Sequence, residues 1–157
     1  MAVGFGWDIH RLVEGRELWL AGVKLPGKKG LLGHSDADAV LHAVADAVLG
    51  AFGGGEIGVL FPSDEPKWKD MVSKDIVAEV LKRLKEAGGS VSNLDVTIVA
   101  EEPKMKPHYK AFRSSVAEVF GVPVERVSVK AKSAEGLGEI GRGEAIACHA
   151  VAAVLLR

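Results

Sequence analysis

The stretch Ala2-Val3-Gly4-Phe5-Gly6-Trp7-Asp8-Ile9-His10 decides how the chain is read. Val3, Phe5, Trp7 and Ile9 alternate with small or polar residues, and that period of two predicts a β-strand with one apolar face. Side chains alternate across a strand, so Asp8 and His10 share the opposite face, which Gly4 and Gly6 leave uncrowded. A carboxylate and an imidazole two residues apart on a strand can converge on one cation. Further on, His34-Ser35-Asp36-Ala37-Asp38-Ala39-Val40-Leu41-His42 leads into a helix whose apolar stripe is Val40, Leu41, Val44, Val48, Leu49 and Phe52. Asp38, His42 and Asp46 recur on that helix at four-residue spacing and line one face.

An Asp, a His and a distant second His match a catalytic zinc site in number and type, with the fourth position open to substrate. Asp-x-His alone is common, and a histidine one turn into an amphipathic helix is more often a hydrogen-bonded bystander than a ligand. The concentration raises the weight of the pattern: three of five histidines and four aspartates fall within the first 46 residues.

At 157 residues the chain is expected to form one domain, 1–157, large enough to bury its own core. A net charge of −1 offers no electrostatic reason for a nucleic-acid or anionic-membrane partner. Cys148 is the single cysteine, which excludes an intrachain disulfide and a thiolate zinc cluster and suits a reducing interior. No basic segment followed by an apolar run opens the sequence, and no apolar run approaches the roughly 20 residues of a membrane span. The expected localisation is cytoplasmic.

Past the first strand, Glu17 to Leu25 reads as an extended pair bent near Gly22, and Pro26 to Gly30 as a turn. The first helix runs from about Asp36 to Phe52 and ends at Gly53-Gly54-Gly55. Glu56 to Pro66 forms a loop too apolar to be plain linker. A second helix is expected from Ser73, as N-cap, to Ala87, with Ile76, Val77, Val80, Leu81 and Leu84 facing the core. Asn93 to Glu101 alternates as a strand, His108 to Phe120 reads as a third helix, and Val127 to Ala131 as another strand. The tail from Glu144 to Leu156 is ambiguous by pattern: its alanines favour helix, while Ile146, Cys148, Val154 and Leu156 fit alternation.

Three loops carry groups suited to a polyanion. Lys104 and Lys106 flank Met105 between two prolines. Lys130-Ala131-Lys132-Ser133-Ala134-Glu135 closes a strand with cations, a hydroxyl and a carboxylate, and Arg142 lies between glycines that permit close backbone approach. Each lysine singly is more often a solvated surface charge than a ligand. Gly136 to Gly141 spells Gly-x-Gly-x-x-Gly, but outside a strand–turn–helix unit it fails as a dinucleotide fingerprint. Glu135 is suited to a hard cation such as Mg²⁺ or Mn²⁺ shared with phosphate oxygens.

Taken together, the blocks resemble the 2-C-methyl-D-erythritol 2,4-cyclodiphosphate synthase family over nearly the whole chain. They are Gly4-Phe5-Gly6-Trp7-Asp8-Ile9-His10, Lys29-Gly30-Leu31-Leu32-Gly33-His34-Ser35-Asp36-Ala37-Asp38, Leu41-His42-Ala43 and Ile57-Gly58-Val59-Leu60-Phe61-Pro62. Asp95 to Met105, Val129-Lys130-Ala131 and Gly141-Arg142-Gly143-Glu144-Ala145-Ile146-Ala147-Cys148 complete the order. The resemblance implies conversion of 4-diphosphocytidyl-2-C-methyl-D-erythritol 2-phosphate into the cyclic diphosphate and CMP, by attack of the substrate's own 2-phosphate on its β-phosphorus. It implies Asp8, His10 and His42 as zinc ligands, Glu135 on Mg²⁺ or Mn²⁺, and His34 and Ser133 as transition-state stabilisers. Ile9 and Ser35 would lie with these against the substrate, Ser35 on the erythritol phosphate. Glu56, Ile57 and Gly58 with Phe61, Pro62, Ser63, Asp64 and Glu65 would hold the methylerythritol portion. Ala100, Glu101, Glu102, Pro103, Lys104, Met105 and Lys106 with Lys132, Ser133, Ala134 and Glu135 would form the cytidine pocket, Arg142 lying near the phosphates.

The implied fold is α+β, a mixed sheet with helices on one face, assembled as a homotrimer whose sheets face the threefold axis. Active sites would lie between subunits, and the tail from Glu144 to Leu156 becomes a strand. The chain departs from the family pattern at Glu56 and Ser63, each usually Asp, and at Lys132 and Ser133, usually two threonines. Glu139 stands where an aromatic residue is frequent, at the mouth of a central channel that in some relatives holds an isoprenoid diphosphate; a carboxylate there would repel that anion. Two other readings compete: a zinc-dependent phosphohydrolase acting on a nucleotide diphosphate, and a non-catalytic trimeric scaffold. Asp38 or Asp46 is the expected outer partner orienting His42.

Overall fold

The N-terminal alternation forms strand β1 (Ala2–Glu14) in a computed structural model that describes all residues from Met1 to Arg157. β1 runs antiparallel to β7 (Ala145–Leu156), from Ala2 opposite Val154 to Arg11 opposite Ala145. On the far side of β7 lies β5 (Gly89–Val99), antiparallel to it, and then β6 (Val127–Lys132), parallel to β5. A short β4 (Lys29–Leu31) completes the mixed sheet beside the end of β1, giving the order β4-β1-β7-β5-β6. β2 (Leu18–Leu20) and β3 (Val23–Leu25) form the expected separate hairpin around Ala21 and Gly22. The α+β class and the strand assignment of the C-terminal tail are both as the resemblance implied.

The helices are α1 (Ala39–Ala51), α2 (Ile57–Leu60), α3 (Ser73–Glu86), α4 (Tyr109–Phe120) and α5 (Gly138–Gly141). The major ones, α1, α3 and α4, pack on one another and on one face of the sheet. The core between them contains Val44, Val48, Leu84, Leu94, Ile98, Phe112 and Ile146, each essentially without exposure. Each such aliphatic or aromatic side chain contributes about 1.5–3 kcal/mol by leaving water.

α1 lies unusually close to β1. A Cβ added at Gly4 would meet the Ala47 carbonyl oxygen at 1.9 Å, and one at Gly6 the Ala43 carbonyl oxygen at 1.9 Å. The glycine face of β1 is therefore filled by helix backbone, where the sequence reading left open space. The apolar row points the other way: Val3 is 64% exposed, Phe5 62% and Trp7 49%, on the sheet face that carries no helix. Val151 opposite Phe5 and His149 opposite Trp7 extend that bare face onto β7.

Three local readings need correction. Ser73 is the first residue of α3 and Val72 its cap, because the Ser73 hydroxyl is taken up by tertiary partners. β5 begins at Gly89, before Asn93, since Gly89 to Val91 pair with the end of β7 across an irregularity near Ser92. The loop from Glu56 to Pro66 contains the single turn α2, with a 3₁₀ turn following at Pro66–Trp68.

Candidate active site

The tight seating of α1 on β1 brings His42, one turn into the helix, against the end of the strand's inner face. The Asp8 Oδ2 atom lies 2.8 Å from His10 Nε2 and 3.1 Å from His42 Nδ1, and the two imidazole nitrogens are 3.4 Å apart. One donor atom from each residue lies within 4.8 Å of the other two. Two imidazole nitrogens and one carboxylate oxygen are a donor set suited to a divalent metal ion, and match in type the three protein ligands of catalytic zinc sites. The second ring nitrogens are also engaged, as metal-binding histidines require. His10 Nδ1 lies 2.9 Å from the Leu32 carbonyl oxygen and His42 Nε2 lies 2.9 Å from Ser73 Oγ. The residues present fit the metal.

The electrostatics of the cluster are those of a carboxylate facing two imidazoles. Burial works to raise the Asp8 carboxyl, but hydrogen bonds and charge from His10 and His42 outweigh it and hold the group below its ordinary value. Burial works to lower His10, and the Asp8 carboxylate with the Leu32 carbonyl overcomes it, so that imidazole titrates above its ordinary value.

His10 and His42 share a cleft with His34, Ser35, Ile57, Gly58, Phe61 and Ser63, all residues that the family resemblance names. Trp68, Lys69, Met71 and Ile76 complete its wall. Sequence reasoning misses these four, because the loop from Pro66 to Met71 carries no recognisable spacing and Ile76 reads only as core. Phe61 meets Trp68 edge-on with centroids 5.0 Å apart, which stiffens that wall. Glu56, Pro62, Asp64 and Glu65 stand outside this cleft.

The sequence model of the YgbB family matches residues 1–155. The chain belongs to the YgbB family. A 2-C-methyl-D-erythritol 2,4-cyclodiphosphate synthase from Gloeobacter violaceus is 51% identical over 151 residues, covering 96% of this chain and 93% of that one. A solved structure of a 2C-methyl-D-erythritol-2,4-cyclodiphosphate synthase in a CDP-bound form is 35% identical, with a TM-score of 0.90 over 98% of this chain and 99% of that one. A CDP complex of IspF from Plasmodium falciparum is 30% identical, with a TM-score of 0.85 over 99% of this chain and 95% of that one.

The remaining residues read from the YgbB-family resemblance fall on a second set of loops. Ile9 and His10 line a second cleft with Ala134, Leu137, Gly138, Glu139 and Glu144, so His10 is common to both clefts. The loops after β5 and β6 are tied together: Glu101 Oε1 accepts from the Ala134 amide at 2.8 Å and the Gly136 amide at 3.2 Å. Ala100 N also donates to the Lys132 carbonyl at 3.0 Å. These contacts gather residues 100–106 and 132–135 into one unit, although they are some thirty residues apart in sequence. Met105 is buried beneath it, while Glu102, Lys104, Lys106, Lys132, Ser133 and Glu135 are exposed and Pro103 partly so. Glu135 adopts a left-handed φ of 52° and accepts from Ser133 Oγ at 2.9 Å. Arg142 is held between Glu144 at 3.1 Å and Glu139 at 3.6 Å, so its charge is largely matched within the chain.

The expected outer partners of His42 are not the ones found. Asp38 caps α1 and is fully buried, its carboxylate accepting from the amides of Ala21 at 2.8 Å, Gly22 at 2.6 Å and Leu41 at 3.0 Å. It fastens the β2–β3 turn to the helix and is spent on backbone. Asp46 accepts from the Ile57 amide at 2.7 Å and so fixes the start of α2. Equal helical spacing put both on the His42 face, but each reaches a different neighbour.

Proposed function

We propose that this chain converts 4-diphosphocytidyl-2-C-methyl-D-erythritol 2-phosphate into 2-C-methyl-D-erythritol 2,4-cyclodiphosphate and CMP, a step of non-mevalonate isoprenoid biosynthesis. The observation that carries the reading is the convergence of Asp8, His10 and His42, the two histidines also lining the cleft, in a chain about half identical to named synthases along nearly its full length. Asp8, His10 and His42 would hold zinc, which would supply a Lewis acid and a template for the folded substrate. Glu135 offers one exposed carboxylate that would hold Mg²⁺ or Mn²⁺, a hard cation suited to neutralising phosphate charge.

The nucleophile belongs to the substrate, so the protein's task is to fold the substrate on itself and neutralise charge. Ile57, Gly58, Phe61 and Ser63 form an apolar and hydroxyl-bearing wall for the methylerythritol portion, with Ser35 beside His34 for its phosphate. His34 and Ser133 would stabilise the reacting phosphates, the Ser133 hydroxyl turning from Glu135 to do so. The unit of residues 100–106 and 132–135 receives cytidine, in keeping with the CDP held by the two solved relatives.

Residues 1–157 act as a single domain, assembled as a homotrimer in the cytoplasm. The bare apolar row of Val3, Phe5, Trp7 and Ile9 supports the assembly, since so long an uncovered apolar face marks an interaction surface. The cytidine unit of one subunit then completes the zinc cleft of the next. No helix is long and apolar enough to cross a membrane.

Incubating the purified, zinc-loaded protein with the cytidine diphosphate substrate tests the reading. The expected products are the cyclic diphosphate and CMP in equal amounts. Linear phosphates would instead make the protein a zinc phosphohydrolase, and no turnover would leave a binding scaffold.

A further inference from the structure

The outer contacts of His42 run onto α3. His42 Nε2 lies 2.9 Å from Ser73 Oγ, and that hydroxyl donates in turn to the Asp36 carboxylate. A hydroxyl whose proton is committed to a carboxylate is an acceptor toward its other neighbour. The hydrogen between His42 and Ser73 therefore sits on Nε2, and Nδ1, the atom facing Asp8 and His10, is the one turned toward the metal position. Asp36 is itself fixed, because Oδ2 accepts from the Ser73 amide at 3.1 Å and Oδ1 from the Asp38 amide at 3.3 Å. Ser73 is fully buried, so no water competes for the arrangement. Ser35 Oγ is the other hydroxyl near Nε2, but at 3.4 Å it is the weaker contact.

We infer that Ser73, backed by Asp36, is the positioning residue that sets the tautomer and ring orientation of His42 for metal binding. The inference rests on the zinc reading above and adds a device to it. The same carboxylate that polarises Ser73 also receives the first amide of α3, so the docking of that helix and the aim of His42 share one anchor. The cleft loop enters α3 at this point, with Met71 and Ile76 in the cleft wall on either side of Ser73. Outer partners of this kind change metal affinity by about 10- to 100-fold when removed.

The test is a zinc titration of metal-stripped protein against a chromophoric chelator, with imidazole ¹⁵N spectra of the same samples. Ser73→Ala should weaken zinc by about 10- to 100-fold, and the His42 Nε2–H resonance of its zinc-loaded form should shift and exchange faster with water. Asp36→Asn, which keeps the shape and removes the charge, should move affinity in the same direction by less. Zinc affinity of Ser73→Ala indistinguishable from the parent protein would overturn the inference. If that variant does not fold, Asp36→Asn decides, and a zinc affinity equal to the parent's there would overturn the inference. Failure of the parent protein to bind one zinc per chain would sink the zinc reading itself, a separate result.

Discussion

Gly6 lies so close to Ala43 that a Cβ on the glycine would stand 1.9 Å from the alanine's carbonyl oxygen. This approach of α1 to β1 carries His42 to Asp8 and His10. A Gly6→Ala variant must push the helix off the strand. Overpacking of this sort costs about 1–3 kcal/mol, and here it also separates the metal ligands. Chemical denaturation and zinc titration should both register the change. An alanine variant of wild-type stability and zinc affinity would show that the close packing has no bearing on the site.

His42→Ala removes a ligand while leaving the β1 pair in place. Turnover should fall by more than the roughly 100-fold seen for loss of an outer-shell partner, with far-UV circular dichroism unchanged. Turnover within a few-fold of the parent protein would contradict the assignment of His42.

Asp46 gives a pH dependence with a definite sign. Burial raises its carboxyl most strongly, the Ile57 amide opposes that, and the nearby Glu56 charge adds to the rise, so the group titrates above its ordinary value. A carboxyl raised on folding favours the folded state below its unfolded value of about 3.9, and that contribution is lost as pH rises through the folded value. The Asp46→Asn substitution keeps an acceptor for the Ile57 amide and removes the titration. In metal-stripped protein the urea midpoint of that variant should therefore gain on the parent as pH rises from about 4 toward 7. A constant difference between the two proteins across that range would refute the sign.

Phe5 and Trp7 stand on the bare sheet face, 62% and 49% exposed. Glutamate at either position places charge where the proposed trimer would bury apolar surface. Sedimentation equilibrium should show the trimer replaced by smaller species, with turnover lost and one zinc per chain retained. A monomeric parent protein of full activity would remove the case for shared sites.

The periodicity of the first ten residues and the apolar stripe of α1 specify a strand and a helix locally, while the chemistry of Asp8, His10 and His42 permits a metal that the family resemblance then assigns to them. These were legible because a strand of period two and a helix of period 3.6 fix which neighbours share a face. The C-terminal tail was not legible by pattern: Ala145 to Leu156 is buried on its inner face and rich in small residues, and only pairing with both β1 and β5 makes it a strand. Spacing likewise put Asp38 and Asp46 beside His42, whereas the fold gave them to backbone amides and brought Ser73 and Asp36 to the ring instead. Sequence alone thus determined which groups could bind a metal, because ligand chemistry belongs to the residue. Which hydroxyl backs His42, and which glycines admit the helix, was decided only in three dimensions, because contacts between segments thirty residues apart depend on how the elements pack rather than on any period within them.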